Sequence, residues 1–318
     1  MSGSRVLALS GGVGGAKLAL GLYRVLPPDT LTIVANTGDD FAHLGLSISP
    51  DLDTLLYTLS GQDNPELGWG RAGETWNFMA ALEKLGGETW FRLGDGDLAT
   101  HVERTRRLAA GENLSAIIDD FRRRLGITAR LLPMSDDPVR TRLNTTEGWV
   151  DFQDYFVRLR CAPVISGLAF AGIEAARPHP DILVALADPE LHLVVICPSN
   201  PFISIDPILG VPGIRDALRS CAAPVVAVSP IIGGKAVKGP TAKMMAELGL
   251  PVDAATVAQH YHDIINFYVA DTADMSSLGG LSMPTVVTHT LMQSLRDREN
   301  LARHVLSAAD RIRAPRTG

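Results

Sequence analysis

The chain opens with a short apolar run, Val6 to Leu9, that passes through Ser10-Gly11-Gly12-Val13-Gly14-Gly15-Ala16-Lys17 into an amphipathic stretch of helical length, Ala16–Val25. A strand feeding a helix through a glycine-rich turn is the first half of a βαβ unit, in which the strand is covered on both faces. The rhythm recurs. Leu31–Ala35 reads as a second strand and Asp53–Leu59 as the start of another helix. Farther on, Leu193–Cys197 and Val225–Val228 are β-rich runs flanking a helical Ile214–Ser220, with further helices at Thr241–Leu248 and Asn300–Arg313. This alternation predicts an α/β fold with a doubly wound, mainly parallel, Rossmann-like sheet.

Between residues of about 70 and 190 the rhythm breaks. Glu74–Leu85, Leu98–Ala109 and Leu114–Leu125 have helical spacing, with Asn113 placed to cap the last of them. Ala129–Leu132, Val139–Asn144 and Gly148–Phe152 then read as short strands. The expected organisation is a single α/β domain over 1–318 that carries 70–190 as a helical and mixed insertion.

Composition narrows the function classes. A net charge of −6 argues against a general nucleic-acid binder, and Arg104–Arg106–Arg107 and Arg122–Arg123–Arg124 read as solvated helix faces. Cys161, Cys197 and Cys221 are widely spaced with no CxxC pair, which argues against a disulfide framework or a zinc site and fits a reducing cytoplasm. No stretch approaches the ~18 apolar residues of a membrane span, so a cytoplasmic protein without a membrane partner is expected.

The glycine loop lies where backbone N–H groups and the partial positive charge of a helix N-terminus receive phosphate. It is neither a dinucleotide fingerprint, whose third glycine would fall at Lys17, nor a Walker loop, since Ala16 and Leu18 replace the required glycine and Ser/Thr. A tight turn alone would need fewer than four glycines. Next come Asn36-Thr37-Gly38-Asp39-Asp40 and Ser49-Pro50-Asp51-Leu52-Asp53-Thr54, four aspartates within fifteen residues. Helix capping accounts for one of Asp51 and Asp53 but not for all four, and carboxylates beside a phosphate loop point to magnesium.

Two later loops also follow strands. Pro198-Ser199-Asn200-Pro201-Phe202-Ile203-Ser204-Ile205-Asp206-Pro207 is stiff and suited to a base or ribose. Ser229-Pro230-Ile231-Ile232-Gly233-Gly234-Lys235-Ala236-Val237-Lys238-Gly239-Pro240 offers glycines and two lysines to an anion. The middle region holds Gly68-Trp69-Gly70, Glu74-Thr75-Trp76 and Arg92-Leu93-Gly94-Asp95-Gly96-Asp97-Leu98-Ala99-Thr100-His101. Each tryptophan by default belongs to a core, but Trp69, Trp76 and Trp90 grouped with Arg92 and His101 would also make a platform for a planar ring. His101 is as readily structural as functional. With no Ser-His-Asp order and no cysteine beside a base, covalent catalysis is disfavoured.

Together these segments resemble the 2-phospho-L-lactate transferase family of coenzyme F(420) biosynthesis, which includes phosphoenolpyruvate transferases. The matching strings are SGGVGGAKL, NTGDD, SPDLDTLLYTLSG, GWG with ETW, LGDGDLATH, LLPMSDDPVRT, FQDYFVR, PSNPFISIDPILGVPGIR and SPIIGGKAVKGPTAK, in order from Ser10 to Lys243. One departure is Gly96, where the family often has arginine.

The resemblance implies a magnesium-dependent phosphotransferase. It would join a phosphorylated three-carbon acid, carried on guanosine diphosphate, to the ribityl hydroxyl of 7,8-didemethyl-8-hydroxy-5-deazariboflavin, with GMP leaving. The acid would be 2-phospholactate, phosphoenolpyruvate or 3-phosphoglycerate. Carried over by position, Asp53 and Arg92 would bind the deazaflavin, Asp53 holding the acceptor hydroxyl as orienter or general base and Arg92 meeting an anionic or carbonyl edge of the ring, with Asp53 and Asp51 catalytic. Asp40 and Asp51 would hold Mg2+, Gly12, Gly14, Gly15 and Lys235 the phosphates, and Ser199, Asn200 and Ser204 the guanosine. A homodimer is also implied. A rival reading is a non-catalytic regulatory protein of the same superfamily that binds a nucleotide sugar, although it would have no use for the tryptophan-rich middle segment.

Overall fold

A computed structural model of the chain describes residues 5–65 and 69–313, with side chains followed to residue 310. Its centre is a seven-stranded sheet of β1 (Arg5–Ser10), β2 (Leu31–Ala35), β3 (Arg130–Pro133), β4 (Leu191–Ile196), β5 (Val225–Val228), β6 (Phe267–Asp271) and β7 (Thr285–Thr288). The spatial order is β7-β6-β5-β4-β1-β2-β3, and every pairing is parallel. The chain runs outward from β1 to β3, then returns to the other side of β1 with β4. That reversal makes the carboxyl ends of β1 and β4 the switch point, where open α/β sheets bind ligands.

Successive strand residues alternate between two cores. Val6 and Ala8 of β1, Ile33 of β2 and Val195 of β4 pack on one face against α1 (Gly12–Val25), α2 (Pro50–Ser60) and the C-terminal helix Leu295–Arg313, through Leu18, Leu22, Leu52, Leu55, Leu301 and Val305. Leu7, Leu9, Val34, Val194 and Ile196 face the other way, against Ile182, Leu186, Ile214, Leu218 and Met244. The central strands read as continuous apolar runs because both faces are covered.

The segment 70–190 is not one insertion. It first leaves the sheet as α3 (Asn77–Lys84), α4 (Asp95–Ala109) and α5 (Leu114–Arg124), then re-enters it as β3, which pairs with β2. Only afterwards does it form a separate antiparallel sheet of Gly148–Asp151, Arg140–Thr145 and Ile165–Ala171. The strand signal of β3 was assigned to the insertion because it sits between helices and hairpin strands.

The helix expected from Glu74 starts only at Asn77. Glu74 instead accepts hydrogen bonds from Gly96 N and Asp97 N at 2.6 and 2.8 Å, which satisfies the first turn of α4. Strands β6 and β7, the strand Ile165–Ala171 and the helices Pro180–Ala187 and Ala254–His260 were not anticipated. The three cysteines are free, and among the described residues no helix is long and apolar enough to cross a membrane.

Candidate active site

A cavity of about 630 Å³ opens at the switch point. Gly11, Gly12, Val13, Gly14 and Lys17 form part of its wall. The expected loop is in fact the helix itself: α1 begins at Gly12, so three of the glycines occupy its first turn. Gly12 has a φ of +63°, in the left-handed region where only glycine is unstrained. Gly14 lies so close to the β4 loop that a Cβ there would stand 2.4 Å from the Pro198 carbonyl oxygen. Gly15 is buried against Ser10 and Ser199 and is not on the cavity wall.

The glycines therefore bring a helix end, with N–H groups that lack intrahelical partners, flush against the neighbouring strand's loop. Lys17 donates to the Met292 carbonyl oxygen at 2.9 Å. Burial, and then the charges of Arg298 and Lys238, lower its pKa.

Three of the four aspartates reach the wall: Asp39, Asp51 and Asp53. Asp51, in the first turn of α2, accepts from Gly12 N at 2.6 Å and from Asn36 Nδ2 at 2.9 Å. Burial raises its pKa to about 6. Burial, and next the Asp51 charge, push Asp39 well above the usual carboxylate range. Asp40 does not line the cavity. Its Oδ2 accepts from Ser49 Oγ at 2.8 Å, and burial takes its pKa to about 7. Of the pair expected to hold a metal, Asp51 reaches the wall, where Asp39 stands beside it, whereas Asp40 turns inward to Ser49.

Asp53 is bound through both oxygens to the guanidinium of Arg104, with Nη1 at 3.1 Å from Oδ2 and Nη2 on Oδ1. Arg104 is completely buried and also donates to the Ser47 carbonyl oxygen at 3.2 Å. The expectation of a solvated arginine face holds for Arg106, paired with Glu103 at the surface, but fails for Arg104. The missed signal was a polar stripe at helical spacing. Asp97, His101 and Arg104 share one face of α4, and Asp53 and Tyr57 share one face of α2.

On that facing pair Tyr57 Oη donates to Asp97 Oδ1 at 2.6 Å. His101 Nε2 lies 3.1 Å from Asp97 Oδ2, and Nδ1 lies 3.6 Å from Asp53 Oδ2. Burial opposes the Asp97 charge, but His101 and Tyr57 outweigh it and hold its pKa below the usual range. One oxygen or nitrogen from each of Asp53, Asp97 and His101 falls within 4.8 Å of the others. This is not a good cation site, because Arg104 already supplies the positive charge and would repel a metal. Asp39 and Asp51 are better suited. Among the described residues neither enters an ion pair, and a hard cation with substrate phosphate would relieve their repulsion.

The remaining expected residues divide. Ser199 and Ser204 are on the wall, where Ser199 Oγ accepts from Gly11 N at 3.2 Å. Asn200 also lines it, but its Oδ1 is engaged by Phe202 N and Ile203 N, capping the π-helical turn Pro201–Ile205. Lys235 is off the wall: it pairs with Ile232 in a small hairpin and is exposed, while Lys238 lines the cavity in its place.

Trp69, Trp90, Phe91 and Arg92 form an aromatic and cationic stretch of wall. Trp76 lies behind it, its ring 4.2 Å from the Arg92 guanidinium carbon. Gly68 lies outside the described residues. Phe152 and Phe156 of the FQDYFVR string, stacked at 5.4 Å, also face the cavity.

Comparison with known proteins matches this architecture. A profile of the family described as 2-phospho-L-lactate transferase CofD fits residues 6–287. A phosphoenolpyruvate transferase from Kitasatospora aureofaciens is 41% identical, over 97% of this chain and 99% of its own length. A 2-phospho-L-lactate transferase from Methanosarcina mazei is 38% identical, over 95% of this chain and 100% of its own. The crystal structure of a UPF0052 family member from Bacillus halodurans superposes with a TM-score of 0.66 at 16% identity, covering 96% of this chain and 99% of that one. That last likeness is one of fold.

Proposed function

The chain belongs to the 2-phospho-L-lactate transferase CofD family, and on that premise we propose that it transfers a phosphorylated three-carbon acid from a guanylylated donor to a deazaflavin alcohol. The observation that carries this reading is the shared cavity. A glycine-lined helix N-terminus, suited to a diphosphate, stands in one 630 Å³ space with Asp53, Arg92 and an aromatic wall suited to a ring.

The acceptor's terminal hydroxyl attacks the phosphorus that bears the acid. A new P–O bond forms, the bond to the GMP phosphate breaks, and GMP leaves with the electron pair. Positioning and charge neutralisation dominate such a reaction. Asp53, held rigid by Arg104, orients the hydroxyl through its remaining lone pairs. Arg92 meets the ring's carbonyl edge. The α1 amides, Lys17 and Lys238 face the phosphates. Asp39 and Asp51 would hold Mg2+, which supplies neutralisation of diphosphate charge when bound. Ser199 and Ser204 contact the nucleoside. On the resemblance, the working form is a cytoplasmic homodimer.

Incubation with the deazaflavin alcohol, magnesium and each guanylylated acid in turn, followed by mass analysis, tests the proposal. One acid giving the phosphodiester and GMP is the expected result. No product with phospholactate, phosphoenolpyruvate or phosphoglycerate donors overturns it.

A further inference from the structure

The segment that follows the strand Gly148–Asp151 reaches the cavity with Phe152, Gln153, Phe156 and Val157. Its polar member, Gln153, has no part in the transfer as described so far. Gln153 precedes a π-helical turn, Asp154–Arg158, a distortion that recurs at functional sites. It lines the cavity although only 6% of its surface is exposed. Its Nε2 donates to the Asp39 carbonyl oxygen at 3.3 Å. A carbonyl only accepts, so this contact fixes which way the amide is turned. Among the described residues no donor reaches Oε1. An amide oxygen in so closed a place calls for a partner.

Asp39 is the seam between the two ends of the cavity. Its carboxyl group stands on the wall with Asp51, which receives the first amide of α1. Two residues on, Phe41 opens the hairpin of Phe41–His43 and Leu46–Ile48. Its ring lies edge-on to Phe91 at 4.9 Å and 6.1 Å from Trp90, so it backs the aromatic wall. Gln153, tied to Asp39 and flanked by the Phe152–Phe156 stack, therefore lies where the aromatic end meets the phosphate end.

We propose that Gln153 Oε1 accepts a hydrogen bond from a secondary hydroxyl of the acceptor's ribityl chain, and so selects a hydroxylated linker over an apolar one. This rests on the transferase reading above. A ligand with its ring on the aromatic wall and its terminal hydroxyl at phosphorus carries its linker past this amide. Phe152, Phe156 and Val157 offer that linker no side-chain acceptor, and the carboxylates beyond are committed to magnesium in that reading. One bond to the linker also narrows where the terminal hydroxyl can sit, which favours attack.

The test uses the full chain, magnesium, the donor that supports turnover, and two acceptors. One is the ribityl deazaflavin. The other is the same ring with an ω-hydroxypentyl chain, which keeps the terminal hydroxyl and lacks the secondary ones. In the wild type, kcat/KM for the ribityl alcohol is expected to exceed that for the hydroxypentyl one by about 10-fold or more, since the shorter set of hydroxyls leaves the amide unpaired. Gln153→Leu should lower kcat/KM for the ribityl alcohol about 10-fold and leave the hydroxypentyl alcohol within about threefold of wild type. Equal losses on both acceptors would mean that Gln153 only braces Asp39, and they overturn the proposal, as does an unchanged Gln153→Leu. Fluorescence titration of the wild-type protein decides the matter even where Gln153→Leu does not fold. Binding of the ribityl alcohol about 10-fold tighter supports the proposal, and equal affinity overturns it. Failure of the transferase reading looks different: the wild-type protein then yields no product from the ribityl alcohol with any donor.

Discussion

Arg104 illustrates how much one side chain can decide. It carries a full charge at zero exposure, and the Asp53 carboxylate is what makes that tolerable. Removing it as Arg104→Met leaves the buried Asp53 without its guanidinium counter-charge, for which a loss of about 3–5 kcal/mol is expected. Thermal unfolding measures that loss, and a fluorescence titration should show weaker deazaflavin binding as Asp53 loses its fixed geometry. Gly14 makes the opposite case, a residue that matters for what it lacks. In Gly14→Ala the new methyl meets the Pro198 carbonyl oxygen, and α1 must shift away from the β4 loop. If that helix end holds the donor's phosphates as proposed, a displacement near 1 Å there is expected to cost about 10- to 100-fold in kcat/KM for the guanylylated donor. Deazaflavin binding should stay near wild type, so separate titrations of the two substrates check the assignment.

At the level of elements, β1, β2, β4 and β5 were legible in the sequence because burial on both faces writes a strand as an unbroken apolar run. Helices α2, α4 and α5 were legible from their spacing. The start of α1 was not, since glycine has poor helix propensity, and only the tertiary contacts of Gly14 and Gly15 with the β4 loop justify glycines in a first turn. β3 was read as a short strand at Ala129–Leu132, but its place in the main sheet was not legible, since the run is short, carries an exposed Arg130 at the sheet edge and lies between helices and hairpin strands. The cavity wall split the same way: Asp53 and Arg92, singled out by motif position, both line it, whereas the burial of Arg104 against Asp53, and the choice of Lys238 over Lys235 from the two lysines of one loop, needed three dimensions. The capped turn Pro201–Ile205 supplies an element-scale prediction. Asn200 Oδ1 satisfies two backbone N–H groups there, so Asn200→Ala is expected to cost about 1 kcal/mol. Because Ser199 and Ser204 flank that turn, KM for the donor should rise while KM for the deazaflavin stays within about twofold.

For the molecule as a whole, the carboxyl edge of the sheet concentrates buried acid, and this sets how stability depends on pH. Asp39, Asp40 and Asp51 all have carboxyl groups pushed up, first of all by burial, Asp40 to about 7 and Asp51 to about 6. In the unfolded chain these groups return to ordinary carboxylate values near 4. Between about pH 4 and pH 7 the folded state therefore holds protons that the unfolded state has released, and stability falls as pH rises through that window. Below it both states are protonated and the contribution is fully present. Above it Asp40 and Asp51 are ionised in both states, and their penalty is constant. Asp40→Asn tests this without touching the cavity wall, since the amide oxygen still accepts from Ser49. At roughly 1.4 kcal/mol per pKa unit, the variant should be more stable than wild type by a few kcal/mol at pH 8. That advantage should vanish towards pH 4. Thermal unfolding of both proteins across the range measures it, and a gap that is constant with pH would show that Asp40 carries its charge at no cost in the fold. Magnesium supplies the complementary measurement. If Asp39 and Asp51 hold it, millimolar Mg2+ should raise the wild-type Tm at pH 8 but not at pH 5, where protons occupy the same oxygens, and Asp51→Asn should abolish the rise.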